Sequence, residues 1–150
     1  MIINYFCESS GQSPSISPIK DNRSMIVLFD HGWEFSFDEH NWINVSLPHT
    51  SRIEPIEKIE QQWQGICFYR KELMMMMDNS LHLILRFDAA MHEADVWING
   101  QHISQHLGGY LPFDVNLPST VNGRYQILVR LQNTDNSLVP PGKNLSSSET

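Results

Sequence analysis

The sequence predicts an all-β domain, a jelly-roll β-sandwich of about nine short antiparallel strands. Short runs of β-branched and aromatic residues recur from residue 24 onward, each bounded by Gly, Pro, Asn or Asp. Two of these runs alternate between apolar and polar residues, and one Asn-Gly pair, Asn99-Gly100, separates two runs as a tight hairpin turn would. No segment has the period of a long amphipathic helix, since the best candidate, residues 52–64, contains Pro55.

The predicted strands span residues 25–29, 33–37, 42–47, 66–73, 81–87, 94–98, 101–104, 113–117 and 125–131. Alternation is clearest in two of them. One face of the strand at 81–87 carries Leu81, Leu83, Leu85 and Phe87, and one face of the strand at 125–131 carries Tyr125, Ile127, Val129 and Leu131. Strands with one wetter face are typical of antiparallel sheets, because buried parallel strands are apolar on both sides. Two sheets that bury their apolar faces against each other satisfy this pattern.

Three segments are expected. Residues 1–23 are rich in Ser, Pro and Asn and predict a disordered or poorly packed leader. Residues 24–135 form the sandwich, and residues 136–150, with Pro140-Pro141-Gly142, are expected to be a truncated linker toward a missing downstream domain. The leader lacks the basic start of a secretory signal, so the chain as written is expected to be cytoplasmic, or periplasmic if its true N-terminus is missing.

The charge balance excludes several partners. Ten Lys and Arg face 17 Asp and Glu, a formal net charge of −7, which argues against nucleic acid and anionic lipid. No apolar run approaches the roughly 18 to 20 residues that a membrane span needs. Two cysteines, Cys7 and Cys67, are too few for a disulfide framework, and Cys67 lies in an apolar run, where a buried thiol is expected.

No motif predicts a metal, a cofactor or a nucleophile. His102 and His106 are four residues apart on an extended segment, which does not bring their rings together as a helix would. His92-Glu93 lacks the second histidine of a metalloprotease helix, and neither a GxSxG turn nor a complete phosphate-binding loop occurs. No cofactor is therefore expected.

Paired carboxylates for glycosidic chemistry remain open in principle. The candidates are Asp88, Glu93, Asp95, Asp114 and Asp135. Most of them adjoin predicted turns, where a solvated carboxylate is the simpler expectation. No catalytic residue is assigned within the chain.

The four tryptophans are Trp33, Trp42, Trp63 and Trp97. Core packing is expected for Trp33 and Trp42, because aromatic side chains dominate protein cores. Strand parity places Trp97 with Asp95 and Asn99, opposite Val96 and Ile98. An exposed Trp97 indicates either a ligand platform or a surface that docks another domain, and docking is the favoured interpretation.

Five motifs, in order, resemble the amino-terminal sugar-binding domain of glycoside hydrolase family 2, the β-galactosidase and β-glucuronidase family. They are WEFSF, W-x-x-V-x-LPH from Trp42 to His49, WQGICFYRK, ADVWINGQHI with GGYLPFDVNL, and VRLQNTDNSLVPPGK. The resemblance covers residues 25–143 and is nearest to β-galactosidases.

The resemblance implies a jelly-roll domain followed, in complete enzymes, by an immunoglobulin-like domain and a (β/α)8 barrel that holds two catalytic glutamates. This chain matches only the first, so it is expected to be the non-catalytic part of a retaining hydrolase of β-galactosides, inactive alone. The resemblance also implies that Asp135, with Asn133 beside it, reaches the sugar in the barrel pocket, and Trp97 is the third candidate for substrate binding. Assembly of the protein into a homo-oligomer is left as an open alternative.

Two other functions remain open. A free-standing carbohydrate-binding module needs an aromatic site of its own, and Trp97 is the residue to supply it. A purely structural docking domain needs an exposed apolar patch and no sugar site.

Overall fold

A computed structural model describes residues 2–9, 25–50, 64–75, 81–90, 92–109 and 111–134. Within these ranges the chain forms ten β-strands. They are β1 (Ile2–Ser9), β2 (Met25–Leu28), β3 (Trp33–Ser36), β4 (Ile43–Val45), β5 (Gly65–Met74), β6 (Leu81–Ala89), β7 (Glu93–Ile98), β8 (Gln101–Leu107), β9 (Phe113–Asn116) and β10 (Arg124–Asn133). No helix in the described ranges is long and apolar enough to span a membrane.

The strands form two antiparallel sheets. The four-stranded sheet has the order β2-β1-β6-β9, and the six-stranded sheet has the order β4-β3-β5-β10-β7-β8. One hydrophobic core unites buried side chains of both sheets, including Leu85 and Phe87 of β6 and Val96 and Val129 of β7 and β10. The all-β sandwich that the sequence predicts is confirmed, and all nine predicted strands are present with boundaries within a few residues.

The burial pattern follows the predicted alternation. In β10, Tyr125, Ile127, Val129 and Leu131 are each at most 4% exposed, whereas the residues between them face outward. The Asn99-Gly100 turn has φ angles of 51° and 80°, the two positive values that a type I′ hairpin needs. Ile98 pairs with Gln101 across it, so the predicted hairpin of β7 and β8 is confirmed.

The expectation of a leader is wrong for its first residues. Ile2–Ser9 forms β1, which pairs with β2 on one side and with β6 on the other. A central strand is flanked on both sides, and its partners here lie up to 87 residues away, as Ala89 does from Ile2. Residues 10–23 of the expected leader, Trp63 and the expected linker at 136–150 lie outside the described residues.

Candidate functional site

The predicted substrate-binding residues do not form one cluster. Trp97 lies on β7 beside Leu128 of β10, whereas Asn133 ends β10 beside Gly65. Five residues of strand separate these positions, roughly 17 Å at the usual rise. Asn133 also shares the inward parity of Leu131, whereas Trp97 projects from the outer face of the six-stranded sheet. Asp135 lies outside the described residues.

Asn133 and Trp97 therefore mark two separate regions, and the first of them is the exit of β10, where Asn133 lies. Gln132 pairs there with Glu93 in the strand ladder and forms a bridge with His92. The Gln132 side-chain amide donates to the Thr134 hydroxyl at 2.8 Å, and the Gly108 amide donates to the His92 carbonyl at 2.7 Å. The connection before β7, the end of β8 and the exit of β10 therefore meet at one end of the sandwich. Thr134 immediately precedes Asp135 in the sequence.

His92 is a residue at this end that the sequence did not single out for a role. It has a positive φ of 31°, and its Nδ1 atom is buried without a hydrogen-bond partner among the described residues. Its only sequence signal was the incomplete metalloprotease pattern with Glu93, which gives no reason to place it beside β10.

A chain of polar contacts leads to the same end along the outer face. Asp95 is 6% exposed, and its two carboxylate oxygens lie 2.9 Å from His102 Nε2 and 2.9 Å from Arg130 Nη1. Arg130 Nη2 donates to the Gln132 side chain at 2.6 Å, which in turn contacts Thr134. The expectation that Asp95 is a solvated turn carboxylate is wrong, because strands β8 and β10 supply partners that cover it.

The second region is a groove of about 610 Å³ on the outer face of the six-stranded sheet. Its walls come from β3, β5, β10 and β7 and from residues near the ends of β4 and β8. The lining includes Trp42, Arg70, Glu72, Trp97 and Gln126. In the sheet order, β7, which carries Trp97, lies two strands from β5. Trp42 lies over β5, because its ring contacts Arg70 of that strand.

An arginine and a glutamate pair on the Trp42 side of this groove. Arg70 makes two hydrogen bonds to Glu34, 2.6 Å from Nε and 3.2 Å from Nη2. The hydrogen bond from Arg70 lowers the pKa of the Glu34 carboxyl, so the pair stays ionised at neutral pH. The guanidinium also lies 4.0 Å from the centre of the Trp42 ring, and the Trp42 indole donates to the Glu39 carbonyl at 2.9 Å. Arg70 is therefore neutralised by Glu34 while its guanidinium lies against Trp42.

Two other charged residues of the groove, Lys71 and Glu72, have polar partners. Lys71 turns toward the core, where its ammonium contacts the His31 carbonyl and lies 3.8 Å from the centre of the Phe29 ring. Burial lowers the pKa of Lys71. Glu72 accepts a hydrogen bond from Gln126 at 3.3 Å across β5 and β10.

The two tryptophans expected in the core differ. Trp33 is 0% exposed and donates from its indole nitrogen to the Phe29 carbonyl at 2.7 Å, so its core position is confirmed. Trp42 is only half-buried and lines the groove, so the expectation of a core position for Trp42 is wrong. Trp97 has the predicted outward orientation, and its ring packs edge-on against His102 at 5.0 Å.

The histidines have separate partners. His102 contacts Asp95, whereas His106 stacks on Phe113 with ring centres 4.2 Å apart. No group of three His, Cys, Asp or Glu side chains suited to a metal occurs in the part of the chain that the structure describes.

The LPH motif brings a histidine into the core margin. His49 Nδ1 lies 2.8 Å from the Tyr69 hydroxyl, and its ring packs against Phe35 with centres 4.8 Å apart. Burial lowers the pKa of His49 and raises the pKa of Tyr69. His49 lies outside the strands, and its ring covers Phe35 and Tyr69 at this edge of the core.

Comparison with known proteins shows extended sequence similarity to β-galactosidases and β-glucuronidases. The chain is 27% identical over 131 residues to a β-galactosidase of Thermoanaerobacterium thermosulfurigenes, covering 84% of this chain and 18% of that protein. It is 32% identical over 123 residues to a β-glucuronidase of Bacteroides fragilis, covering 77% of this chain and 18% of that protein. The resemblance to glycoside hydrolase family 2 is confirmed. No family model matches the chain.

Solved structures of the same family share the fold. A β-glucuronidase from Ruminococcus gnavus in complex with D-glucaro 1,5-lactone superposes with a TM-score of 0.64 at 23% identity over 83% of this chain and 24% of that chain. A β-glucuronidase from an uncultured Clostridium species gives a TM-score of 0.62 at 20% identity over 79% of this chain and 24% of that chain. This chain therefore spans less than a quarter of the family members it matches.

Proposed function

We propose that this chain is the non-catalytic N-terminal domain of a retaining glycoside hydrolase of family 2 that acts on β-galactosides. In the complete enzyme it packs on the barrel and lends the segment after β10, with Asn133 and Asp135, to the wall of the sugar pocket. The two catalytic glutamates belong to the barrel, so the chain alone does not turn over substrate.

The observation that carries this proposal is the convergence of three segments at the exit of β10. Hydrogen bonds from Gln132 to Thr134 and from Gly108 to His92 tie this end together directly before Asp135. A carboxylate that must meet a sugar presented by another domain needs a rigid base, because a loosely held group loses affinity to ordering. The buried Asp95–Arg130 pair anchors Gln132 and so supports that base.

A domain graft tests the proposal. Residues 1–143 replace the matching region of the Thermoanaerobacterium β-galactosidase, and the hybrid is assayed with an aryl β-galactoside. We expect an active hybrid in which Asp135→Asn lowers kcat/KM by about a hundredfold or more, since a charged hydrogen bond to a sugar hydroxyl is worth about 1.5–3 kcal/mol in binding and more in the transition state.

Asp114→Asn is the matched control, because Asp114 is an exposed carboxylate of β9, in the four-stranded sheet, that lies 3.5 Å from Arg86. The control hybrid should keep its activity. Equal activity of the Asp135→Asn and Asp114→Asn hybrids contradicts the role of Asp135. Hydrolysis by the unfused 150-residue chain, lost on substitution of one of its own carboxylates, contradicts the non-catalytic assignment.

A further inference from the structure

The groove on the outer face of the six-stranded sheet is not used by the proposed function. It opens on the side opposite the core, and Trp97 within it lies roughly 17 Å along β10 from Asn133. The groove therefore needs an explanation of its own.

We propose that this groove binds a short segment of a neutral glycan chain, separately from the sugar pocket to which Asp135 contributes. Trp42 and Trp97 stand at its two sides, two strand spacings or about 10 Å apart, which matches a short run of linked sugar rings. An indole face packs on the C–H face of a pyranose ring, because both surfaces are flat and apolar. Beside the indoles, Gln126, Glu72 and Arg70 supply the hydrogen-bond donors and acceptors that sugar hydroxyls require, and Leu128 lies between Arg70 and Trp97.

The charges of the groove favour a neutral ligand. Arg70 is neutralised by Glu34 in a two-bond pair, and the Lys71 ammonium points away from the groove toward the His31 carbonyl. Glu39 and Glu72 remain as carboxylates without a cationic partner among the described contacts of the groove, so its surface is weakly acidic. A uronic acid or another anionic sugar would meet like charge there.

The surface of the groove differs from a protein-docking surface. The large exposed apolar side chains of the described residues all lie outside it; they are Phe37, Ile43, Ile66, Met74, Leu107, Leu111 and Val121. Protein interfaces place contiguous aliphatic and aromatic surface at their centre. Here the outward side chains that line the groove on β5 and β10 are mostly polar, namely Arg70, Glu72 and Gln126, and the aliphatic Leu128 lies between Arg70 and Trp97.

Titration of the 150-residue chain with short, neutral β-linked galactose and glucose oligosaccharides tests the inference, by calorimetry and by amide chemical shifts. We expect saturable binding that Trp97→Ala weakens by at least about tenfold, as loss of a tryptophan that packs on the ligand commonly does at a binding site. Trp97→Phe should recover part of that loss, because a smaller aromatic face remains.

A second variant covers the case in which Trp97→Ala disturbs the sheet. Gln126→Ala removes one of the groove's hydrogen-bonding side chains and should weaken binding by about fivefold, the value of one hydrogen bond. Gln105→Ala is its matched control, since Gln105 makes the equivalent bond to Glu93 at 2.8 Å on the same sheet but does not line the groove. Binding by the Gln105→Ala chain should be unchanged.

Three outcomes overturn the inference: no saturable binding of any neutral oligosaccharide, stronger binding of the matching uronic acid oligosaccharides, or binding that survives both Trp97→Ala and Gln126→Ala. Binding that is lost in Asp135→Asn but kept in Trp97→Ala assigns the sugar to the β10 exit and also overturns the groove. None of these results alters the outcome of the domain graft, so the two proposals fail independently.

Discussion

The two faces of the six-stranded sheet carry different kinds of side chain, although the same strands form both. Its inner face is a continuous apolar surface on which Val96, Ile98, Ile127 and Val129 are each at most 1% exposed. Its outer face carries polar side chains that pair across neighbouring strands, as Glu34 does with Arg70. The inner face is stabilised by the burial of apolar side chains away from water, whereas the outer face is stabilised by pairs of polar side chains that lie opposite each other on neighbouring strands.

This contrast extends to residues of the same type. Trp33 on the inner face packs edge-on against Phe29 at 5.6 Å and is fully buried, and its single polar atom has a backbone partner. Trp42 lies against the guanidinium of Arg70 beside the groove. Trp33 therefore contributes chiefly by burial, whereas Trp42 contributes through a half-buried ring that lies against a guanidinium.

Replacing each tryptophan with alanine should give the largest difference between the faces. Trp33→Ala removes a fully buried ring and should lower the free energy of unfolding by about 3–5 kcal/mol. Trp42→Ala loses mainly a solvent-exposed contact with a cation, worth about 0.5–1 kcal/mol. Urea unfolding followed by circular dichroism measures both. Equal losses would mean that the outer face is as important for stability as the core.

Two carboxylates of the outer face should also differ, by a smaller amount. Asp95→Asn weakens the charged hydrogen bonds to Arg130 and His102 at a site 6% exposed, and should cost about 1.5–3 kcal/mol. Glu34→Gln disrupts a pair whose side chains are 45% and 39% exposed and should cost no more than about 1 kcal/mol.

Salt separates these two cases. Added salt should reduce the effect of Glu34→Gln, because its pair with Arg70 is exposed to ions, and should change that of Asp95→Asn much less. A large, salt-insensitive effect at Glu34 would contradict the distinction between a covered and an open ion pair on this face.

The inner face could be predicted from the sequence because its signal is local. Alternation along Tyr125, Ile127, Val129 and Leu131 states which side chains point inward without any knowledge of the neighbouring strands. The Asn99-Gly100 turn is equally local, since the positive φ angles of the two residues fix the hairpin. The five family motifs are local as well, and they identify the enzyme family to which this domain is similar.

The outer face could not be predicted because its properties depend on which strands are neighbours. Asp95 resembles a solvated carboxylate until β10 brings Arg130 and β8 brings His102 beside it. Trp42 resembles a core residue until Arg70, from a strand more than twenty residues later, lies over its ring. Strand β1 was missed for the same reason, because its partner β6 begins at Leu81.

The smallest expected effect is a pH dependence at the edge of the inner face. Burial lowers the pKa of His49 below its ordinary value of 6.5. Below that value the unfolded chain takes up a proton that the folded chain resists, so the free energy of unfolding should fall as the pH drops from about 6.5 toward the folded pKa. Asp38, whose pKa is also lowered, acts only below its ordinary value of 3.8 and is separated by pH.

Unfolding measured between pH 7 and pH 5 in His49→Phe tests this effect, since phenylalanine keeps the ring contact with Phe35 but has no proton to bind. The variant should be less stable than the parent at pH 7, where it lacks the bond to Tyr69, and the difference should shrink as the pH falls because only the parent loses stability through residue 49. His82→Gln, at an exposed position on β6, is the control and should follow the parent. Parallel pH profiles for His49→Phe and the parent would show that the pKa of His49 is the same in the folded and unfolded chains. Water would then reach the His49 ring at the LPH loop.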